Sequence, residues 1–196
     1  MSELKDGIKT YHAKDATSWR KWLKINHLKE KNVWLIIYKK IAETPSVTYP
    51  EAVDEALCFG WIDSKPNKRD DKSFYQYFSK RNPKSNWSKV NKEKIKRLQT
   101  EGKIAPAGKE MIRLAKETGT WDALDDVENL VLPQDLQKEF HNNKLAFDNF
   151  QQFPRSVKRG ILEWIFNAKR ANTRTKRIQE TVKLAEKNIR ANQYKK

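Results

Sequence analysis

Ser73-Phe74-Tyr75-Gln76-Tyr77-Phe78-Ser79 is followed, after one lysine, by Arg81-Asn82-Pro83-Lys84-Ser85-Asn86-Trp87-Ser88-Lys89-Val90-Asn91. The apolar period changes between the two halves. In the first, Phe74 and Phe78 share one face of a strand while Tyr75 and Tyr77 share the other. Either both faces are covered or one is a binding surface. Pro83 blocks a helix before it and keeps Asn82 extended or in a turn. From Trp87 the spacing becomes helical. Trp87, Asn91, Ile95 and Leu98 fall on one face with Val90 at its edge, and Lys89, Lys92, Glu93, Lys96 and Arg97 lie mostly opposite. A strand leading through a polar turn into an amphipathic helix points to an α+β protein.

Ser85 and Ser88 both have the chemistry of a helix N-cap. Asn91 sits on the apolar face, where an orphaned amide costs about 1–3 kcal/mol, so it is expected to be paired. Hydroxyls at a helix start, flanked by Arg81, Lys84 and Lys89, suit an anion. Caps and core hydrogen bonds account for the same residues without any ligand.

Upstream, Ile8 to His12 reads as a short edge strand. Asp15 reads as an N-cap before Trp19, Trp22 and Leu23 at helical spacing, with Asn26 as a stop. Val33-Trp34-Leu35-Ile36-Ile37-Tyr38 is β-branched and aromatic, a strand. Thr48-x-x-Glu51 is a capping box, and Gly60 closes the helix it opens. Cys58 on that helix reads as a small buried hydrophobe. Trp61-Ile62-Asp63 begins a strand, and Lys65 to Lys72 reads as a polar turn. Asp63 is either a general base or an ordinary salt-bridge partner.

Downstream, Gly102 is a stop, and Pro106 and Gly119 bracket a helix with an apolar face of Ala107, Met111, Leu114, Ala115 and Thr118. Trp121 to Leu132 is acidic and reads as a linker. Helices then follow over Gln134–Phe140 and Lys144–Phe153, with Leu145, Phe147, Phe150 and Phe153 as core candidates. A third starts at a Ser156 cap and breaks at Asn172 or Thr173. The last runs to about Ile189, burying Ile178, Val182, Ala185 and Ile189, and the tail Gln193–Lys196 is expected to fray. The predicted architecture is a small antiparallel sheet with packed helices over residues 1–125, followed by a C-terminal helical bundle over 126–196.

The 196-residue chain has a formal net charge of +16, unevenly spread. Residues 64–103 carry 13 Lys/Arg against 4 Asp/Glu, and residues 153–196 carry 13 against 3, whereas 104–152 carry 5 against 9. Two cationic blocks of this kind suit a phosphate, a nucleic acid or an anionic envelope surface. Cys58 is the only cysteine, which excludes an intrachain disulfide. His12, His27 and His141 are too scattered to suggest a metal site, and no cofactor is expected. The first seven residues lack the apolar core of a signal peptide, and no apolar run is long enough to span a bilayer, so the expected location is cytoplasmic.

Three ordered stretches carry a resemblance. These are Ala56-Leu57-Cys58-Phe59-Gly60-Trp61-Ile62-Asp63, the Arg81–Asn91 segment, and Asn167-Ala168-Lys169-Arg170 followed by Thr173-Arg174-x-x-Arg177-Ile178. Together they resemble the YdeI/OmdA family, titled bacteriocin-protection, YdeI or OmpD-associated. The resemblance implies a role in resistance to antimicrobial peptides and bacteriocins, and an envelope-protein partner. It supplies no catalytic residues. Asn172 stands where the family pattern often has an acidic residue before the Thr-Arg pair, which removes the partner expected there for an ion pair.

The leading functional reading is therefore a non-enzymatic stress or bacteriocin-resistance protein with a basic-aromatic anion-binding face. Its candidate residues are Trp61, Asp63, Arg81, Lys84, Ser85, Trp87, Ser88, Asn91, Lys169, Arg170, Arg174 and Arg177. The alternatives are a nucleic-acid-binding module that stacks bases on Trp87, Tyr75 and Tyr77, or an enzyme or small-anion-binding protein with a cleft lined by Trp61, Asp63, Arg81, Ser85, Trp87 and Asn91. No Gly-rich phosphate loop or nucleophile elbow supports the last.

Overall fold

The computed structural model describes residues 3–193. The part of the expected frayed tail from residue 194 on lies outside the described residues. The chain divides between Asp122 and Ala123 into two compact units. The fold is α+β, with a sheet and helices in the first unit and helices alone in the second.

In the first unit, β1 (Leu4–Lys5), β2 (Ile8–His12), β3 (Asn32–Tyr38), β4 (Trp61–Lys68) and β5 (Ser73–Lys80) form one sheet in the order β1-β2-β3-β5-β4. The sheet is mixed rather than antiparallel throughout, because β2 and β3 run parallel. The helix α1 (Ala16–Asn26) lies between them in sequence and carries the chain back to the starting end, as a parallel pair requires. Its N-cap is Asp15, whose Oδ1 accepts from Ser18 N at 2.7 Å. The two-residue β1 lies outside β2, so Ile8–His12 is not the edge. At the other edge β4 continues to Lys68 instead of turning at Lys65. An irregular step in its pairing between Asp63 and Pro66 accommodates the proline, which an edge strand tolerates.

One face of this sheet is covered by α1, α2 (Tyr49–Cys58), α3 (Lys89–Thr100) and α4 (Pro106–Glu117). Trp19, Leu35, Phe78, Trp61, Ile95 and Ile112 belong to the shared core. The capping box of α2 is present, with Glu51 Oε2 accepting from Thr48 N at 2.9 Å. Gly60 stands beyond its end at a φ of 72°, where only glycine is unstrained. The buried face of α4 is Gly108, Ile112 and Ala115, with Met111 and Leu114 half-buried beside it. This is rotated from the expected stripe, because Gly108 approaches the end of α2 too closely for a side chain.

The opposite face holds a separate cluster of Trp34, Ile36 and Tyr75, with Ile8, Tyr38 and Tyr77 against it and no helix residue in it. The register explains the grouping, since Trp34 pairs with Tyr77 and Ile36 with Tyr75. The cations near these rings are already matched. Arg69 bonds Glu3 and Asp70, and Lys5 lies 3.4 Å from Asp6.

The second unit packs α5 (Asp125–Glu128), α6 (Gln134–His141), α7 (Lys144–Gln152), α8 (Arg155–Phe166) and α9 (Ala171–Glu186) around Leu136, Phe140, Phe150, Ile161, Ile165 and Ala185. The acidic run is no linker, because it folds as α5 and buries Leu124 and Val127. Leu145 and Ile189 are exposed, not core. Ser156 lies inside α8, which starts after Pro154, and the break before α9 comes at 167–170, ahead of Asn172. Among the described residues no helix is long and apolar enough to cross a membrane.

Candidate functional site

The connection from β5 to α3 is a tight turn held at both ends. Ser85 N donates to Asn82 O at 2.9 Å, with Pro83 at the second turn position, and Asn82 Oδ1 accepts from Lys84 N at 2.9 Å. Ser85 Oγ also donates to Asn82 O at 2.7 Å. Arg81 N donates to Gly60 O at 3.0 Å and Trp87 N to Thr120 O at 3.1 Å. Ser88 caps α3, its Oγ accepting from Asn91 N at 3.3 Å. Asn91 itself is half-buried at the rim of the core.

Inside this turn Arg81 is 5% exposed and has no carboxylate partner among the described residues. Its guanidinium carbon lies 3.8 Å from the centre of the Trp87 ring. Its Nη2 donates to Asn86 O at 2.5 Å and Ser85 O at 3.4 Å, while Nε is buried without a partner. Burial pushes the guanidinium down to about 10, with nothing negative nearby to oppose it. Trp87 is 2% exposed and packs at 5.0 Å against Trp121. The Nζ atoms of Lys92 and Lys116 each lie 5.6 Å from the centre of the Trp121 ring. The result is a cation–aromatic stack running Arg81, Trp87, Trp121, then two lysines.

Arg81, Ser85, Trp87, Ser88 and Asn91 are thus brought together, with Lys84 exposed on the turn. Trp61 is not a cleft residue. It is 1% exposed, donates Nε1 to His27 O at 3.3 Å and meets Trp22 edge-on at 5.8 Å. Asp63 accepts from Tyr49 Oη at 2.7 Å, and burial together with this bond pushes the tyrosine up to about 12. Trp87 lies in the helix-side core while Tyr75 and Tyr77 lie on the far face of the sheet, so the three do not form one stacking platform. Trp121 was missed because it opens a run read as a linker, and Lys116 because it lies off the apolar face of the helix before it. The only signal was a large indole placed among polar residues.

In the second unit, Lys169 and Arg170 are exposed just before α9. Arg174 and Arg177 turn back onto the end of α8. Arg174 Nη1 donates to Ile165 O at 3.5 Å and Arg177 Nη1 to Trp164 O, with the Arg177 guanidinium 4.9 Å from the Trp164 ring. Both cations sit at the C-terminal end of α8, where the helix dipole favours positive charge. Arg174 also makes a two-pronged pair with Asp135, at 2.5 and 2.9 Å. The acidic partner missing at Asn172 is therefore supplied by α6, from a residue that no local pattern singles out.

Arg174 holds the Asp135 carboxyl below its ordinary value of 3.8. A depressed carboxyl contributes stability that is complete above the ordinary value and is lost as pH falls through the depressed one. In a urea series at stepped pH, the unfolding midpoint of the second unit is expected to drop as pH falls below 3.8. In Asp135→Asn that part of the drop should be absent and the neutral midpoint lower. Parallel pH curves for the two proteins would show that the pair contributes nothing.

Residues 11–111 match a family model described as a domain of unknown function (DUF8412), and residues 129–188 match one described as Bacteriocin-protection, YdeI or OmpD-Associated. The first two resembling stretches fall within the former match and the third within the latter. No curated protein and no solved structure matches the chain.

Proposed function

The chain belongs to the family of the DUF8412 domain, whose match spans over half its length, and it carries a bacteriocin-protection, YdeI or OmpD-associated segment; from that premise we propose that it is a non-catalytic protection protein that occupies the anionic surfaces attacked by cationic antimicrobial peptides. Direct capture of such peptides conflicts with a net charge of +16. Competition for their targets fits it.

The observation that carries this reading is the division of labour among the cations around α3. Lys94 lies 2.5 Å from Asp54, and Arg97 also bonds Asp54, so these two are neutralised locally. Lys84, Lys89 and Lys96 have no carboxylate partner among the described residues and are exposed. Lys84 and Lys89 flank the start of α3, beside the Arg81–Trp87–Trp121 stack, and Lys96 lies about two turns further along the helix on the same side as Lys89. Exposed, unneutralised lysines attract an anionic surface at about 1 kcal/mol each.

Co-sedimentation with phosphatidylglycerol-containing vesicles tests this. Binding is expected at low ionic strength, is expected to fall as salt rises, and should be absent with phosphatidylcholine alone. The triple variant Lys84→Glu, Lys89→Glu, Lys96→Glu is expected to bind on the order of a hundredfold more weakly. Salt-indifferent binding, or equal binding to neutral vesicles, would overturn the reading. Binding of single-stranded DNA without vesicle binding would replace it with the nucleic-acid alternative.

A further inference from the structure

The first unit contains a cleft of about 700 Å³ where the end of α1, the end of α2 and the start of α4 meet. This volume is within the range of small-molecule sites. Its walls include Leu28, Phe59, Pro106 and the stem of Lys24, so the surface offered to a ligand is largely apolar. Leu28 is 72% exposed, which leaves a large side chain in water beside a ready-made apolar recess.

The charges around the cleft do not cancel evenly. Arg20 is committed, with Nη1 at 2.6 Å from Glu55 and Nη2 donating to Lys103 O at 2.7 Å, and its guanidinium lies 5.3 Å over the Phe59 ring. Glu110 on the opposite wall is committed to Arg113 by two bonds of 2.8 and 2.7 Å. Lys24 has no carboxylate partner among the described residues. His27 holds its Nδ1 at 2.8 Å from Leu23 O, so that nitrogen carries the proton, and Nε2 of the neutral ring is an acceptor that offers an anion nothing. The rim is therefore positive at Lys24, above an apolar floor.

We infer that this cleft binds a single-chain amphiphilic carboxylate, its chain lying on Leu28, Phe59 and Pro106 and its head at Lys24. The two halves of such a ligand match the two kinds of surface. A cationic amphiphile would meet Lys24 head-on, and a short polar anion would leave the apolar floor wet. The site is independent of the lysines around α3, so it stands whether or not those bind a membrane.

Isothermal titration of the full chain with decanoate, below its micelle concentration, tests the assignment. Saturable one-site binding is expected, with no saturable binding of decyltrimethylammonium. Lys24→Glu and Leu28→Asp change exposed residues and are expected to keep the wild-type circular dichroism spectrum while each weakens decanoate binding at least about tenfold. Absent decanoate binding, equal binding of the cationic amphiphile, or affinity unchanged in either variant would overturn it.

Discussion

Replacing Gly108 by alanine is expected to lower the unfolding free energy of the first unit by about 3 kcal/mol, the upper end of what overpacking a core costs. A Cβ built at Gly108 would lie 2.3 Å from the carbonyl oxygen of Cys58, 2.9 Å from its carbonyl carbon and 3.1 Å from Ile104 Cγ2. The first two atoms are backbone and have no rotamer to retreat into. To relieve the clash, α4 must move away from the end of α2, and that movement strains the bond from Ala105 N to Cys58 O, now 3.0 Å. It also loosens Ile112 and Ala115, which follow Gly108 on the buried face. Gly160 provides the control. It lies inside α8, and a Cβ there meets nothing within 4 Å. Gly160→Ala is expected to gain up to about 1 kcal/mol from helix propensity. Urea unfolding followed by far-ultraviolet circular dichroism measures both. A Gly108→Ala loss below about 0.5 kcal/mol, within the scatter of ordinary surface changes, would show that the helices are not locked at this contact.

Gly108 also marks the limit of what the sequence discloses. Signals that act within one turn of chain were legible, because cause and effect lie a few residues apart. Asp15 capping Ser18, Glu51 closing on Thr48, Gly60 beyond α2 and Pro106 opening α4 all belong to this class. A glycine in a helix gives no local sign of whether it is there by tolerance or because another backbone is in contact. The same applies to the parallel pairing of β2 with β3, which depends on which side of the sheet the chain returns to. It applies to Asp135, whose partner is 39 residues away. Within the candidate site, the turn and the cap on Ser88 could be read from Asn82-Pro83 and the two serines. The burial of Arg81 could not, since an arginine beside a proline and a lysine looks like surface. It is enclosed by the Trp87 ring and by the carbonyls of Ser85 and Asn86, contacts that exist only once the turn has folded back on it.

Trp87→Ala is expected to be the most damaging single change in this loop, costing about 4 kcal/mol, typical for loss of a buried indole. The ring is 2% exposed and touches both Trp121 and the Arg81 guanidinium, so its removal leaves a cavity lined on one side by an arginine. That cation would lose the one face that favours it while keeping the desolvation that already depresses its pKa. Arg81→Met separates the contribution of the charge from that of the ring. Methionine has similar length and fills the same space against Trp87, and it removes a charge whose burial no carboxylate offsets. The carbonyls of Ser85 and Asn86 lose a donor, but both residues are half-buried and water can take its place. The net change for Arg81→Met is therefore expected to stay within about 1 kcal/mol of zero. Urea midpoints for the two variants, read at neutral pH, give the comparison. If Arg81→Met cost as much as Trp87→Ala, the guanidinium rather than the indole would be what organises the loop, and its two bonds to Ser85 and Asn86 would be the contacts that hold the start of α3 in place.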